Sequence, residues 1–149
     1  MKKLIVLLGL ALALSSCEVK SNLYNWGYKS STNNATEYES SVYNYYHSQS
    51  PESLCALLCE YEYMVTHPGG ERGVVPPGIC AEYGYLLLSP DTPQIFSEHA
   101  TRQQKERFSS GDYSAIFREK GMLMLQKEIE LYPESSVFIQ PLIMKFSQQ

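Results

Sequence analysis

The chain has 149 residues, a formal net charge of −4 and 44% apolar residues, enough for one domain with a real core and too few for two comfortable ones. It carries no basic block, and a net-acidic chain of that kind is a poor candidate for nucleic-acid binding. Twelve Tyr stand against five Phe and one Trp, and tyrosine joins apolar area to a polar tip, which suits both helix packing in small wet cores and recognition surfaces.

At the start, Lys2 and Lys3 form a positive region, and Leu4 to Leu14 is an unbroken apolar run of eleven residues. As a helix that run is roughly 16 Å long, too short for a hydrocarbon core of roughly 30 Å. It reads as a secretory signal, not a membrane span. The closing Leu14-Ser15-Ser16-Cys17 resembles the lipobox of bacterial lipoproteins, which implies acylation of the Cys17 thiol and cleavage just before it. Removing residues 1–16 leaves 133 residues, and because Lys2 and Lys3 go with them the net charge falls to −6. Adhesion to an anionic membrane by charge is then disfavoured, so lipid must hold the protein there, and several acyl chains anchor stably where one binds only marginally. Glu18 is not the aspartate of an inner-membrane retention signal, so the expected address is the outer membrane.

Glu18 to Asn22 is a polar spacer, followed by Leu23-Tyr24-Asn25-Trp26-Gly27-Tyr28 and a Ser, Thr and Asn loop to Thr36. Tyr24, Trp26 and Tyr28 lie outside any periodic helix just after the tether. They are candidate partner-docking residues, to be covered either by the protein's own helices or by a partner. From Tyr38 the period is helical, with Tyr38, Val42, Tyr45 and Tyr46 on one face to about Ser48. Ser50-Pro51 opens a second helix that turns Leu54, Leu57, Leu58, Tyr61, Met64 and Val65 inward and stops at His67-Pro68-Gly69-Gly70. Pro76-Pro77 opens a third through Leu88. Residues 94–108 read as a fourth, more polar helix. Asp112 caps a long fifth to about Leu131, with Tyr113, Phe117, Gly121, Met124 and Leu125 buried. Val137 to Phe146 is a last short helix, which Pro141 is expected to bend. The expected organisation is a signal peptide over 1–16, a lipidated tether and docking segment over 17–37, and a helical repeat-like domain over 38–149. The fold class is all-α, built from antiparallel helix pairs.

Helix pairs that end in proline raise the question of repeats. The third and fifth helices resemble the two helices of a tetratricopeptide repeat. Cys80, Tyr83, Gly84 and Leu87 take the large, large, small and large positions of its first helix, and Gly121, Leu125 and Pro133 those of its second helix and terminator. A glycine within a helix costs roughly 1 kcal/mol relative to alanine, so Gly84 and Gly121 are expected where two helices approach closely. Glu128, standing where a small residue is usual, and an insert of about 25 residues between the helices depart from the repeat pattern.

Leu23-Tyr24-Asn25-Trp26-Gly27 behind a lipobox is joined downstream by Val75-Pro76-Pro77-Gly78, by Ala81-Glu82-Tyr83-Gly84-Tyr85-Leu86-Leu87 and by Leu131-Tyr132-Pro133-Glu134-Ser135-Ser136. Together they resemble a family of small bacterial envelope lipoproteins of unknown function, whose members are often encoded beside a lipoprotein similar to the curli secretion channel. The resemblance covers most of the mature chain except the inserts near 29–37 and 89–110. It implies an envelope lipoprotein that works with other lipoproteins, and it brings no active site with it.

Few constellations suggest chemistry. Cys55 and Cys59 sit one helical turn apart with His67 eight residues on, but no fourth zinc ligand is suitably spaced. Of the three thiols left after lipidation, Cys80 pairs with Cys55 or Cys59, or all three are buried thiols. His47, His67 and His99 lie near helix ends or in polar segments and read as solvated. Glu60 and Glu62, like Glu128 and Glu130, are two apart on a helix and point to different faces, so neither pair can flank a scissile bond. Arg102, Lys105 and Arg107, with Glu98 and Glu106 at helical spacing to Arg102, read as a self-paired solvated face. The expected function is therefore a non-enzymatic scaffold or adaptor in an envelope lipoprotein complex, with a covalent lipid on Cys17 and no cofactor. A peptidoglycan-acting enzyme, or an activator of one, is the alternative.

Overall fold

The computed structural model describes residues 22–27, 29, 35–109 and 111–148. Among them are seven α-helices and no strand, so the chain is all-α. They are α1 (Glu37–Ser48), α2 (Pro51–Thr66), α3 (Ile79–Leu87), α4 (Thr92–His99), α5 (Arg102–Lys105), α6 (Tyr113–Leu131) and α7 (Ser136–Ser147), with a 3-10 turn over Pro133–Ser135 before α7.

Local chemistry explains most of the boundaries. Helix α1 starts on a capping box in which Glu39 N donates to Thr36 Oγ1 (3.1 Å) and Thr36 N to Glu39 Oε2 (2.7 Å). Its Tyr38, Val42 and Tyr45 lean on the core, but Tyr46 is 63% exposed and does not share their face. Ser50 caps α2 by accepting from Ser53 N, with Pro51 in the first turn. Asp112 caps α6 through Ser114 N.

Two expectations about boundaries are corrected. Pro76 and Pro77 do not open α3, because Gly78 adopts a left-handed φ of 87° and the helix can begin only at Ile79. The single helix expected over 94–108 is two. Ala100 is extended (ψ 136°), and Thr101 forms a new capping box with Gln104. That break lets the chain turn so that Phe108 meets Phe96 edge to face at 4.8 Å, burying both rings. It also breaks the helical spacing between Glu98 and Arg102. Glu98 takes Gln94 Nε2 instead (2.9 Å), and Arg102 pairs with Glu106 (3.0 Å) on an exposed face. Helix α7 runs on through Pro141, which is exposed, and the carbonyl of Val137 that loses its donor belongs to a residue 74% exposed.

Helix α2 is the centre, buried around most of its circumference and packed on α1, α3 and α4. The main core gathers Leu54, Leu57, Leu58, Tyr61, Met64, Tyr83, Phe96 and Phe117 among others. A smaller cluster of Leu88, Leu125, Ile139 and Phe146 fastens α7 to α3 and α6.

Helix α3 packs most extensively on α6, and Gly84 and Gly121 meet at this contact. A Cβ on Gly84 would lie 2.8 Å from the Gly121 carbonyl oxygen, and one on Gly121 would lie 2.6 Å from Leu88 Cγ. Both are closer than real contacts allow, so side-chain-free backbone is required at this crossing. Gly84→Ala gains about 1 kcal/mol of helix propensity but forces backbone apart, so it should lower unfolding stability by about 1–2 kcal/mol net. Urea denaturation of the two proteins side by side measures that loss.

Candidate functional site

The described part of the N-terminal segment is strapped across the α2–α3 connection. The carbonyl of Asn22 accepts from Glu71 N and that of Leu23 from Arg72 N, each at 3.0 Å. Asn25 Nδ2 donates to the His67 carbonyl at 3.0 Å, and Asn25 Oδ1 accepts from Gly27 N at 3.1 Å. Arg72 Nη1 donates to the Tyr24 hydroxyl at 3.1 Å, and its guanidinium lies 5.7 Å from the centre of that ring. Gly70, at φ 76°, makes the strap fit. A Cβ there would lie 2.6 Å from Tyr24 N and 2.7 Å from the Asn22 carbonyl oxygen.

From this strap a row of rings runs into the core. Centroids are 6.3 Å apart from Tyr24 to Trp26, 5.7 Å from Trp26 to Tyr38, 5.9 Å from Tyr38 to Tyr61 and 5.7 Å from Tyr61 to Tyr83. Trp26 therefore rests on α1 through Tyr38, although 37% of it stays exposed. A cleft of about 580 Å³ opens here, lined by Tyr24, Trp26, Tyr38, Lys29 and Glu39 among others. The structure thus brings together Tyr24 and Trp26, two of the three residues singled out for docking. Tyr28 and Cys17 lie outside the described residues.

At the inner end, carboxylates and tyrosines interlock. Tyr61 of α2 donates to Glu82 of α3, and Tyr83 of α3 donates to Glu62 of α2 at 2.7 Å. Lys120 of α6 adds a 2.6 Å ion pair to Glu62. Burial, aided by their carboxylate partners, pushes both tyrosine hydroxyls far above their ordinary pKa. Tyr38 is pushed up to about 12, chiefly by burial and then by the charge of Glu82. Each hydroxyl therefore acts as a fixed donor at neutral pH. Glu128, 2% exposed on α6, accepts from Gly78 N (2.8 Å) and Ala81 N (3.3 Å). It supplies from a neighbouring helix the cap that Gly78 lacks, and places an anion at the positive end of α3.

Glu62 and Glu128 were missed as buried groups by sequence reasoning, and so was the bond of the exposed Glu82 to buried Tyr61. A readable signal existed: Tyr61-Glu62 on one helix and Glu82-Tyr83 on its neighbour are the same pair in opposite order. Glu60 and Glu62 do face different ways, as expected, and both are nearly buried.

The three cysteines beyond Cys17 are free and buried, so neither pairing with Cys80 is present. Burial pushes the Cys55 thiol up to about 11 and those of Cys59 and Cys80 to about 12, which leaves them protonated and poorly nucleophilic. His47, His67 and His99 are exposed. Among the described residues no group of three or more His, Cys, Asp or Glu is arranged to hold a metal ion, and no helix is long and apolar enough to cross a membrane. Compared with protein-family models, curated proteins and solved structures, the chain matches none.

Glu60 stands apart from this accounting. It is 8% exposed and its Oε1 has no hydrogen-bond partner. That oxygen lies only 2.7 Å from where a Cβ on Gly27 would be, so the strap closes over it. Burial first, then the charge of Glu37, raises its pKa, against the opposing pull of Arg107. A carboxyl whose folded pKa is raised holds its proton more tightly in the folded state. Its contribution is therefore most favourable below the ordinary value of 4.5 and is lost as pH rises through the folded pKa. Glu60→Gln removes the buried charge but not the polar atoms, so it should make the protein more stable at pH 7. The advantage should shrink towards zero as pH falls below 4.5. Thermal melts of both proteins across that range test the sign.

Proposed function

We propose that this protein is a lipid-anchored envelope lipoprotein, held at the outer membrane through Cys17, whose helical domain is an adaptor for other envelope lipoproteins. The observation that carries the adaptor reading is the outward face of α7. Val137, Pro141 and Met144 recur at helical spacing on the side opposite the packed Ile139 and Phe146, and Phe138 flanks them. Val137, Phe138 and Met144 are 74%, 76% and 60% exposed. Large apolar side chains grouped along one helix face mark a contact surface more often than chance scatter does. The ionisable groups bonded between the helices support an adaptor over a peptidoglycan-acting enzyme. Glu62, Glu82 and Glu128 are committed to bonds that hold α2, α3 and α6 together, and the thiols are protonated.

The same reading takes α3 and α6 as one degenerate tetratricopeptide-like pair, with α4 and α5 as the insert between its helices. The close glycine crossing supports it, since a small residue at the crossing is what that repeat uses. A lipoprotein similar to the curli secretion channel is the kind of partner the sequence resemblance points to.

Two substitutions test anchor and adaptor separately. Cys17→Ser should abolish incorporation of a fatty-acid probe and leave uncleaved precursor, whereas Cys80→Ser should not. Labelling that persists in Cys17→Ser would show the anchor to be misplaced. Met144→Asp, at an exposed position, should leave stability within about 0.5 kcal/mol yet cut recovery of crosslinked lipoproteins from membranes several-fold. Unchanged recovery would remove α7 as the docking face.

A further inference from the structure

Leu23 and Trp26 are exposed large apolar side chains, 54% and 37% accessible, and they sit at the end of the described chain nearest Cys17. Six Cα–Cα steps lead from Cys17 to Leu23, a reach of at most roughly 20 Å when fully extended and roughly 13 Å on average for a flexible chain. The headgroup layer of one leaflet is itself about 5–7 Å deep. A Cys17 anchored by its acyl chains therefore keeps Leu23 close to the bilayer surface at all times.

Leu23 and Trp26 are tied to the domain by bonds of their own segment. The backbone bonds from Glu71 and Arg72, the Asn25 bond to His67 and the packing of Trp26 on Tyr38 make them part of the folded domain. A tryptophan packed on Tyr38 yet 37% exposed, beside a tyrosine whose hydroxyl accepts from an arginine, has the amphipathic character of residues that settle at headgroup depth. Arg72 holds the neighbouring Tyr24 hydroxyl and Lys29 lines the cleft beside Trp26, but the chain is net acidic, so apolar contact must supply the attraction.

We propose that the membrane surface itself covers Leu23 and the open edge of Trp26, seating the strap end of the domain on the bilayer. This rests on the lipid anchor proposed at Cys17. The strap then fixes how the domain stands, with the α2–α3 connection (67–74) towards lipid.

Trp26 is the only tryptophan, so its fluorescence reads the contact directly. The mature acylated protein is reconstituted in phosphatidylethanolamine and phosphatidylglycerol vesicles in which a fraction of lipids carries a nitroxide, either near the headgroup or at mid-chain. Shallow nitroxide should quench Trp26 at least twofold more than mid-chain nitroxide, and aqueous iodide should quench it less than in detergent micelles. Leu23→Asp, at an exposed position, should cut the lipid quenching by half or more. An intact mass taken first separates the two layers of inference. A mature protein without acyl groups overturns the anchor and this seat with it. An acylated protein in which lipid nitroxides leave Trp26 unquenched overturns the seat alone. So does one in which iodide protection appears only when a second lipoprotein is added, which would make the cover a protein.

Discussion

The crossed bonds between α2 and α3 hold the rest of the structure in register. Tyr61 reaches Glu82 and Tyr83 reaches Glu62, with the two rings stacked 5.7 Å apart between them. Each bond satisfies a polar atom that would otherwise be buried without a partner, so sliding either helix by one residue would orphan both. Lys120 carries the same network to α6 by pairing with Glu62. Removing one member of such a set costs more than the set as a whole contributes, because the remaining charge stays buried and uncompensated. The network selects one arrangement of three helices more than it adds to their total stability.

Glu128 and the glycine crossing extend that constraint along α6. The carboxylate fixes the first turn of α3 by its backbone N–H groups, and Gly84 against Gly121 fixes the distance between the two helices about one turn and a half further on. A larger residue at either glycine would lift α3 away and draw Gly78 off Glu128. A small residue at position 128, as a regular tetratricopeptide-like pair would carry, would leave α3 without a cap, because Gly78 has no side chain to provide one. On the proposed repeat-like reading, Glu128 exchanges a small packing residue for a cap.

Helix existence was legible in the sequence wherever an apolar period met a cap, as at Ser50-Pro51 and Asp112, and the glycine contact followed from the cost of glycine in a helix. What failed was set by distant partners. The break at Ala100 depends on Phe108 reaching Phe96, a contact between residues that no period connects. The inward turn of Glu60, Glu62 and Glu128 was invisible because charge reads as surface until a tyrosine or an N-terminus is found opposite. For the candidate site, Tyr24 and Trp26 were recognisable as misplaced aromatics. That they would lie on Tyr38 required knowing that Gly70 lets the strap cross the 67–74 loop.

The strap and the core are joined by rings yet differ in how firmly they are held. Beyond Tyr38 the row is buried and locked by charge-assisted bonds, whereas Trp26 is open on one side and Asn22–Gly27 is held by a handful of hydrogen bonds near solvent. Segments with few buried apolar contacts and solvent-accessible bonds open at free energies far below that of global unfolding. The strap can therefore release while α2, α3 and α6 stay assembled. The unpartnered oxygen of Glu60 lies just beneath Gly27, and ionising it raises the cost of keeping the strap closed without touching the crossed bonds behind it. With the anchor proposed at Cys17, this strap is also the part of the fold nearest the lipid. The proposed bilayer contact would add apolar cover to Leu23 and Trp26, which the protein's own packing leaves exposed.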